Sequence, residues 1–540
     1  MNREHHPSSL DYVRELVQFD TISSRSNVAI TDYVDAELKR IGFETERVDY
    51  TDLNQVAKSN VVGRIGPQGT GLAYFAHTDV VPADPWFSEA HGPFSPWVEG
   101  DRLYGRGSCD MKGSLACMLA TASCLDTDQL TAPLYVVCTA DEEVGYAGAL
   151  QVVQHSRLYR EIVAANTPGI IGEPTMLQVI HGHKGTFGIH ATARGAAAHS
   201  STTHGLNANL AMIPFLEEMK AIHDETEADP AWQDNRFHPP TLSWNIGVND
   251  HTHAINIKAP QSVCTAYFRP MPGQDVEPLL NRVRRAAEAN GLELKIRGQY
   301  PALFTDPKSP LVQTALQLTG QSSSGTVTYG TDGCVLDGLE QRIVCGPGDI
   351  AQAHTKDEWI SLDQLTMGVE VYAKFIEHFC GAARLRSAGT SANTATTPAR
   401  GRGESTDLPS PRGASKSDAA PVHDFLVPFV EQRDLLLRTV EEIQGLVDNG
   451  FVVEVNGSIV GFAAIEIFSG KLAEVQCLAV APALQGKGIG KQLIQRCVQR
   501  AQEENVTELI AITASDALFQ SCGFDYALPN QKRALFIQTG

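Results

Sequence analysis

The first 380 residues alternate between short apolar runs and segments with helical periodicity. Four of the apolar runs are nearly continuous and have the length of strands: LAYFAH, LYVVCTA, GIIGEPT and RIVCGPG. Between them, Met111–Cys124 is rich in Leu, Ala and Met and is predicted to form a helix. Because continuously apolar strands are buried on both faces, this alternation predicts an α/β domain with a mostly parallel sheet between helices.

The pattern changes from about Lys184 to Asn290. Runs such as GTFGIHATARG and SVCTAYFRP alternate apolar with polar positions, which is typical of an antiparallel sheet. Helical patterns at Asn207–His223 and Val276–Ala289 would cover one face of that sheet. We therefore predict a catalytic domain formed by residues 1–183 and 291–380, into which residues 184–290 insert an α+β domain.

Residues 381–421 differ in composition from the rest of the chain. They contain no aromatic side chain and almost no large aliphatic one, so they cannot bury enough apolar surface to offset the entropy of folding. We predict a disordered linker whose ends lie about 35 Å apart. A separate α/β domain is then expected over residues 422–540.

That last segment has its own strand and turn signals. Phe451–Ile467 contains two strand-like runs around an Asn-Gly pair, which is a strong hairpin signal. The next strand, LAEVQCLAVAP, leads into the turn QGKGIG and a helix with regular apolar spacing. A glycine-rich turn at a helix N-terminus presents free amide groups and suits a phosphate, although such a turn by itself is weak evidence.

Composition narrows the functional classes. Apolar residues make up 42% of the 540 residues and charged residues 20%, as in soluble globular proteins. The formal net charge of −20 argues against a nucleic-acid partner, which needs a basic face. The 11 cysteines form no CxxC pair, so neither a disulfide framework nor a thiolate zinc site is indicated.

No apolar run approaches the roughly 20 residues of a membrane span and the polar N-terminus has no signal-peptide core, so we expect a cytoplasmic protein.

Histidines and acidic residues follow directly after the predicted strands or lie in a turn before the predicted helix. They are His77, Asp79, Asp110, the triplet Asp141–Glu143, Glu173 and His354. The carboxyl ends of neighbouring strands in an open sheet line one crevice, so these distant segments can converge. Each residue alone is more often a surface residue, and only the joint pattern predicts a metal site. Imidazole and carboxylate ligands suit zinc, cobalt or manganese.

This chemistry fits a hydrolase with two metal ions. One bridging carboxylate, together with a histidine and a carboxylate for each metal, leaves a position for a water whose pKa falls towards neutrality. Glu142 is the natural group to take the proton of that water. Asp79, two residues after His77, is placed to hold the imidazole in the right tautomer.

The motifs AHTDVVP, GRGSCDMKG, ADEEVG, IIGEPT, GAAAHSS and QAHTKDE span about residues 8–380. They resemble the metallo-amidohydrolase family that contains acetylornithine deacetylase, succinyl-diaminopimelate desuccinylase and carboxypeptidase G, and the acetylornithine deacetylase branch is the most similar. The resemblance implies that two divalent ions, zinc or cobalt, share the bridging ligand Asp110. It places Glu143 and His354 on one ion, and His77 and Glu173 on the other.

The same resemblance assigns further roles. Glu142 is the general base and Asp79 orients His77. The inserted domain is similar to the family's dimerisation domain, which implies a homodimer. His199 would reach the partner subunit's site and stabilise the oxyanion; the alternative is a structural histidine in a turn.

Substrate recognition is implied for residues of two segments. Arg269, in YFRPMPG, matches an arginine that binds the substrate carboxylate, for which a planar fork is suited; a surface salt bridge is the alternative. Gly330 and Thr331, in YGTDG, would face an N-acetylated amino acid.

The C-terminal motifs CLAVAPALQGKGIGKQLI and LFQSCGF resemble the acetyl-CoA-binding core of GNAT-type acetyltransferases over residues 422–540. The resemblance implies that the backbone of Leu478 and Val480 holds the pantetheine arm and the acetyl group. The pyrophosphate would be held by Gln485, Gly486, Lys487, Gly488, Ile489 and Gly490.

A closer likeness links this segment to the acetyltransferase domain of N-acetylglutamate synthase. Phe519 agrees with that likeness, because the synthases also place Phe where many GNAT enzymes have a catalytic Tyr. The chain departs from it after Leu528–Pro529, where the synthases usually have Tyr-Asn-x-x-Arg. Glu474 could deprotonate the acceptor amine, and an ordinary acid at a strand end is the alternative.

Together these features predict a bifunctional arginine-biosynthesis enzyme. One module would hydrolyse N2-acetylornithine to ornithine and acetate, and the other would acetylate glutamate with acetyl-CoA. Two alternatives remain open. The C-terminal module could instead be an acetyl-CoA-binding regulatory module, and the hydrolase could be a dipeptidase or a desuccinylase.

Overall fold

The computed structural model describes residues 6–252, 254–381, 411–431, 435, 438–455, 457–469, 471–484, 488–504, 506, 508–511, 518–519, 522 and 524. The chain divides into two compact units, Met1–Ala392 and Asn393–Gly540, and each is described by itself. Among the described residues, no helix has both the length and the apolar character needed to cross a membrane.

The first unit alternates helices with strands along most of its length. Its helices are α1 (Ser9–Gln18), α2 (Val28–Ile41), α3 (Lys112–Ser123), α4 (Ala147–His155), α5 (Arg157–Ala164), α6 (Ala208–Ala228), α7 (Glu277–Ala289), α8 (Pro310–Thr319) and α9 (Leu362–Cys380). Its strands are β1 (Glu44–Thr51), β2 (Ala57–Ile65), β3 (Leu72–His77), β4 (Trp97–Glu99), β5 (Arg102–Tyr104), β6 (Leu134–Thr139), β7 (Gly169–Pro174), β8 (Ile180–His183), β9 (Thr186–Arg194), β10 (Asn245–Asn249), β11 (Gln261–Phe268), β12 (Glu293–Tyr300), β13 (Leu303–Phe304), β14 (Gly325–Val327), β15 (Arg342–Gly346) and β16 (Trp359–Ser361).

The main sheet has the strand order β1-β2-β6-β3-β7-β15-β8-β13, with β14 beside β8. Its centre, β6-β3-β7-β15, is parallel and consists of the four strands predicted from continuous apolar runs. Of the strands that flank this centre, β1, β2, β8 and β13 pair antiparallel, and β14 pairs parallel with β8. The sheet as a whole is therefore mixed, and the predicted parallel arrangement is confirmed for its centre.

Successive residues of the central strands face two separate apolar cores, which explains their continuous burial. Tyr74 of β3 lies in one core with Leu115 of α3 and Phe375 of α9. The next residue, Phe75, lies in the other core with Val152 of α4. Helices thus cover both faces, and the catalytic edge is left at the carboxyl ends of the strands.

The inserted domain is an antiparallel sheet, β10-β11-β9-β12, with α6 and α7 packed on one face. Both helices were predicted, and α6 extends to Ala228, five residues beyond the prediction. The predicted boundary at residue 290 is too early, because β12 pairs with β9 over Glu293–Tyr300. That strand alternates exposed and half-buried residues, so no apolar run marked it in the sequence.

The second unit contains α10 (Ala419–Glu431), α11 (Val440–Leu446), α12 (Ile489–Glu503), β17 (Arg412–Gly413), β18 (Gly450–Val455), β19 (Ser458–Ser469), β20 (Leu472–Val480) and β21 (Glu508–Ala511). Its sheet has the order β17-β18-β19-β20-β21. All its neighbours are antiparallel except β20 and β21. The hairpin predicted over Phe451–Ile467 is confirmed, and α12 packs on the face opposite α10 and α11.

The linker prediction differs from the structure at its C-terminal end. Residues 382–410 lie outside the described residues, whereas β17 and the start of α10 occupy part of residues 411–421. The guanidinium of Arg412 pairs bidentately with Asp418 inside this segment, at 2.9 Å for each contact. It also pairs with Glu454 of β18 at 2.9 Å, and β17 pairs with β18 in the sheet, so the segment is held to the unit. Composition does not reveal a segment that is fixed by an ion pair and main-chain pairing.

One close approach in the main sheet gives a stability prediction. A Cβ atom on Gly346 of β15 would lie 2.1 Å from the carbonyl oxygen of Gly172 and 2.6 Å from that of Glu173. Because both obstacles are backbone, Gly346→Ala must displace β7. We expect it to lower the free energy of unfolding by about 1–3 kcal/mol or more.

The five tryptophans all lie in the first unit, so their fluorescence during urea denaturation measures this loss for that unit. Gly92→Ala is the matched control, since the nearest atom to its added Cβ is 3.8 Å away. Equal stability of the two variants would contradict the close packing of β15 against β7.

Candidate metal centre

The ends of three parallel strands bring the candidate ligands together. His77 is the last residue of β3, and Glu173 lies near the end of β7. Glu142 and Glu143 follow β6, which pairs with β3 in parallel. One possible ligand atom from each of His77, Glu142 and Glu173 lies within 4.8 Å of the other two.

Asp110 lies between the two histidines. Its Oδ1 is 3.1 Å from Nε2 of His77, and its Oδ2 is 3.4 Å from Nε2 of His354. His354 also lies 3.0 Å from Oε2 of Glu143, and His77 lies 3.7 Å from Oε1 of Glu173. Each carboxylate oxygen of Asp110 thus faces one histidine–carboxylate pair, which is the arrangement that a bridging ligand requires.

The carboxylates of this cluster repel one another. Burial and the charges of Glu173 and Glu143 raise the pKa of Glu142 well above its usual value. Burial, with Asp110 nearby, does the same for Glu173. Burial alone would lower the pKa of His77, but the carboxylates of Glu173 and Asp110 outweigh it and raise that pKa strongly. Divalent cations would relieve this crowding, and a set of imidazole and carboxylate donors fits zinc, cobalt or manganese.

Asp79 contacts the centre in a different way from the prediction. Its carbonyl oxygen lies 2.9 Å from Nδ1 of His77, so Nδ1 donates and leaves Nε2 free for a metal. Its carboxylate is 3.7 Å from the imidazole. That carboxylate instead accepts hydrogen bonds from the amides of Glu142 (3.1 Å) and Glu143 (3.4 Å). The main chain of Asp79 therefore orients His77, and its side chain holds the acidic turn.

Glu358 is a buried residue of the site that sequence reasoning missed. Its carboxylate accepts hydrogen bonds from the main-chain amides of Gly107, Cys109 and Asp110 at 2.9–3.0 Å. It also pairs with the guanidinium of Arg106 at 2.7 Å. Glu358 belongs to the motif QAHTKDE, but an acid just after a candidate ligand gives no sign that it folds back under the turn of Asp110.

The predicted substrate residues lie where the inserted domain joins the catalytic domain. The hydroxyl of Thr331 is 3.0 Å from Nε2 of His183, and Gly330 is packed against the hydroxyl of Tyr146. Burial lowers the pKa of His183 to about 4 and that of Lys184 to about 8, and the charge of Arg269 contributes to both. These residues all lie at the junction of the two domains. The sequence analysis did not predict His183 and Lys184 as residues of this site.

Arg269 has unused hydrogen-bonding capacity at this junction. Its guanidinium lies 5.1 Å from the ring centroid of Tyr267. Its Nη1 atom is buried, and it has no hydrogen-bond partner among the described residues. The alternative to substrate binding, a surface salt bridge of Arg269, is not found in the described part of the chain. The Nη1 donor therefore remains available for an acceptor such as a carboxylate.

His199 is exposed in the inserted domain. Its Nδ1 lies 2.8 Å from the hydroxyl of Ser201, and its main chain bridges to Ile257. Within the described residues, none of its hydrogen bonds reaches a metal-centre residue of the same chain. The structure therefore does not place His199 in its own subunit's site.

The predicted acetyl-CoA residues surround the end of β20 and the start of α12. Leu478 and Val480 belong to β20, Ile489 and Gly490 begin α12, and Gly488 caps it with a left-handed φ of +85°. Gln485, Gly486 and Lys487 lie outside the described residues. The helix N-terminus predicted for the phosphate is thus present, with its first turn buried at Ile489.

The structure also places Phe519 and Glu474, the two residues of the second unit that the sequence analysis related to catalysis. Phe519 is buried in the core beneath α12. Glu474 of β20 lies directly opposite Glu466 of β19. Burial and this like charge raise the pKa of Glu474.

Comparison with known proteins finds a matching family for each of the two units. Residues 73–378 match the model of Peptidase family M20/M25/M40, and residues 422–524 match the acetyltransferase (GNAT) family. The chain is 33% identical to acetylornithine deacetylase of Myxococcus xanthus over 68% of this chain and 96% of that protein. It is 29% identical to the Proteus mirabilis enzyme of the same name over 69% and 97%.

Solved structures share the fold of the first unit. An M20 family metallo-carboxypeptidase from Sulfolobus solfataricus superposes with a TM-score of 0.54 at 17% identity, over 69% of this chain and 99% of that chain. At this identity the likeness concerns the fold alone.

Glu358 gives a prediction for the turn that carries Asp110. Glu358→Ala would leave the Arg106 guanidinium and three main-chain amides buried without their acceptor. We expect a loss of about 3–5 kcal/mol in the free energy of unfolding. Glu358→Gln keeps one acceptor oxygen and should lose less.

Urea denaturation followed by tryptophan fluorescence measures both losses. The exposed Glu340→Ala is the control. A Glu358→Ala variant as stable as Glu340→Ala would show that the buried acceptor is unimportant.

Proposed function

Since the chain belongs to Peptidase family M20/M25/M40 and is a hydrolase that also carries a GNAT acetyltransferase domain, we propose that its first unit removes the acetyl group of N2-acetylornithine. The observation that carries this proposal is the metal centre, in which Asp110 faces two histidine–carboxylate pairs beside Glu142. The choice of substrate rests on the identity to acetylornithine deacetylase along almost its whole length.

The protein ligands of two divalent cations would be His77, Asp110, Glu143, Glu173 and His354. When bound, the cations lower the pKa of a water and polarise the carbonyl group of the amide. Glu142 takes the proton from that water and returns it to the leaving amine.

Arg269 would bind the carboxylate of the amino acid. Its buried, unpaired Nη1 atom supports this role, because an unmatched guanidinium donor is costly unless a ligand completes it. Thr331 and the backbone of Gly330 lie at the same junction and would contact the rest of the substrate. The positive charges of Lys184 and Arg269 favour an anionic group there.

The site would be completed in a homodimer. Exposed apolar side chains lie beside the loop of His199: Leu206, Leu210, Ile213 and Ile257. A grouped apolar surface of this kind is typical of a protein interface. A second copy of the chain would cover it and bring His199 to the oxyanion in the partner's site.

The second unit would transfer the acetyl group of acetyl-CoA to an amino acid, and we propose glutamate. The β20 edge and the N-terminus of α12 support binding of acetyl-CoA, and Glu474 would accept the proton of the amine. The two reactions would then belong to arginine biosynthesis in the cytoplasm. A purely regulatory acetyl-CoA-binding module remains the second candidate.

Two matched substitutions test the hydrolase. Glu142→Gln should lower kcat for acetate release from N2-acetylornithine by about 10²–10⁴-fold, because it removes the proton carrier. It should keep two metal ions per subunit. Glu143→Gln should lose metal as well as activity.

Elemental analysis and acetate release separate these effects. Faster hydrolysis of N2-succinyl amino acids or dipeptides by the wild-type chain would overturn the substrate and favour a desuccinylase or dipeptidase. Metal loss in Glu142→Gln would overturn its role as base.

Mixing two inactive variants tests the partner role of His199. In a heterodimer of Glu142→Gln and His199→Ala, one site combines an intact Glu142 with the partner's intact histidine. We expect each variant alone to be nearly inactive and the mixture, after subunit exchange, to recover up to about a quarter of wild-type activity. No recovery in heterodimers isolated with two affinity tags would rule out action across the interface.

The acetyltransferase is best measured in the full chain carrying Glu142→Gln, because the lowered hydrolase activity of this variant suppresses any side hydrolysis of the acetylated product. We expect acetyl-CoA and glutamate to yield free CoA and N-acetylglutamate. Glu474→Gln should reduce kcat if this acid accepts the amine proton. Binding of acetyl-CoA without transfer to any amino acid tested would instead support the regulatory module.

A further inference from the structure

The acidic turn Asp141–Glu143 is held from two sides by buried groups that meet at Ser23. Ser23 belongs to the N-terminal segment, outside the residues that match the peptidase family. Its hydroxyl donates to Oδ2 of Asp79 at 2.7 Å. Its carbonyl oxygen accepts from Nζ of Lys58 at 2.6 Å. One residue therefore connects two of the side chains that contact the turn.

The first contact is made by Asp79. Its Oδ1 accepts from the amide of Glu142 at 3.1 Å, and its Oδ2 accepts from the amide of Glu143 at 3.4 Å. The hydroxyl of Ser23 shares Oδ2 and fixes the rotation of the carboxylate. The position of the Glu142 backbone thus depends on a carboxylate that Ser23 orients.

The second contact is made by Lys58. Its Nζ lies 2.5 Å from Oδ1 of Asp141, and the hydroxyl of Tyr50 donates to Oδ2 at 2.6 Å. Asp141 has a left-handed φ of +58°, which non-glycine residues adopt only when their surroundings hold them there. The buried pair holds this backbone conformation directly before Glu142.

Four members of this network are shielded from water, and the fifth, Tyr50, is half-buried. The exposed fractions of Ser23, Lys58, Asp79 and Asp141 are 6%, 1%, 1% and 3%. In such surroundings hydrogen bonds are strong, and a partly satisfied network is costly. The turn should therefore keep one position rather than several.

The carboxylate of Glu142 itself is not fixed by its neighbours. Among the described residues it makes no hydrogen bond, although its amide is bound by Asp79. The direction of the Glu142 carboxylate is consequently set by the position of the Glu142 backbone. We propose that Ser23 and Lys58 are positioning residues for hydrolysis, which fix the direction of Glu142 through Asp79 and Asp141; this inference rests on the proposed role of Glu142 as general base.

Ser23→Ala tests the proposal with little disturbance, because it removes the hydroxyl and keeps the carbonyl that binds Lys58. We expect kcat for hydrolysis to fall about tenfold, since small misplacements of a catalytic group reduce the rate strongly. KM and metal content should stay close to wild type. The unfolding midpoint from tryptophan fluorescence should fall, because a buried hydrogen bond is lost, but the variant should stay fully folded at the assay temperature. Ser26→Ala is the control, because its exposed hydroxyl binds Ala57 outside this network, and its kcat should stay within about twofold.

A purely structural role would give a different result. A Ser23→Ala variant with unchanged kcat, or one whose loss follows metal content or stability, would overturn the proposal. The double variant Lys58→Met with Asp141→Asn provides a second test, since it removes both charges together and Asn tolerates a left-handed φ. Wild-type kcat in this folded, metal-loaded variant would exclude the Lys58 contact.

Coupling to Glu142 gives the sharpest test. If Ser23 acts through Glu142, Ser23→Ala should cause no further loss of the residual activity of Glu142→Gln. The same fold loss in both backgrounds would overturn the proposal. Full activity of Glu142→Gln itself would instead reject the proposed function, so the two failures can be told apart.

Discussion

The first unit is organised around the mutual repulsion of carboxylates that are crowded into a buried place. Asp110, Glu142, Glu143 and Glu173 lie close to two imidazoles, and burial and neighbouring charge raise the pKa of Glu142, Glu143 and Glu173. Such a cluster is unfavourable unless cations balance it. The family match and the donor chemistry agree that divalent cations do so.

The fold holds these groups in place despite their repulsion. His77 and Glu173 lie at the ends of two parallel strands, at one edge of the sheet. Asp110, Glu142 and Glu143 lie in turns, and a buried carboxylate accepts hydrogen bonds from the main-chain amides of each turn. Glu358 binds the amides before Asp110, and Asp79 binds the amides of the acidic turn. The ligands are thus fixed through their backbone, which leaves their side-chain atoms free for metal and substrate.

The sequence predicted the parts that depend on local patterns. The four central strands, α3, α6, α7 and the hairpin of the second unit followed from apolar periodicity and turn residues. The boundary at β12 was wrong because that strand alternates weakly, and the linker end was wrong because β17 pairs with β18 and Arg412 pairs with Glu454. The five predicted metal ligands and Glu142 lie close together, but the supporting contacts of Ser23, Lys58 and Glu358 could not be predicted. They join segments up to about 250 residues apart, and no local pattern marks an acid that accepts main-chain amides.

The interpretation of the first unit depends on the cluster around Asp110 being a centre for two cations. Anomalous X-ray diffraction from crystals grown with cobalt would locate such cations. We expect two peaks per subunit, one beside His77 and Glu173 and the other beside Glu143 and His354, with Asp110 between them. A single peak, or none at this cluster, would contradict a two-cation centre.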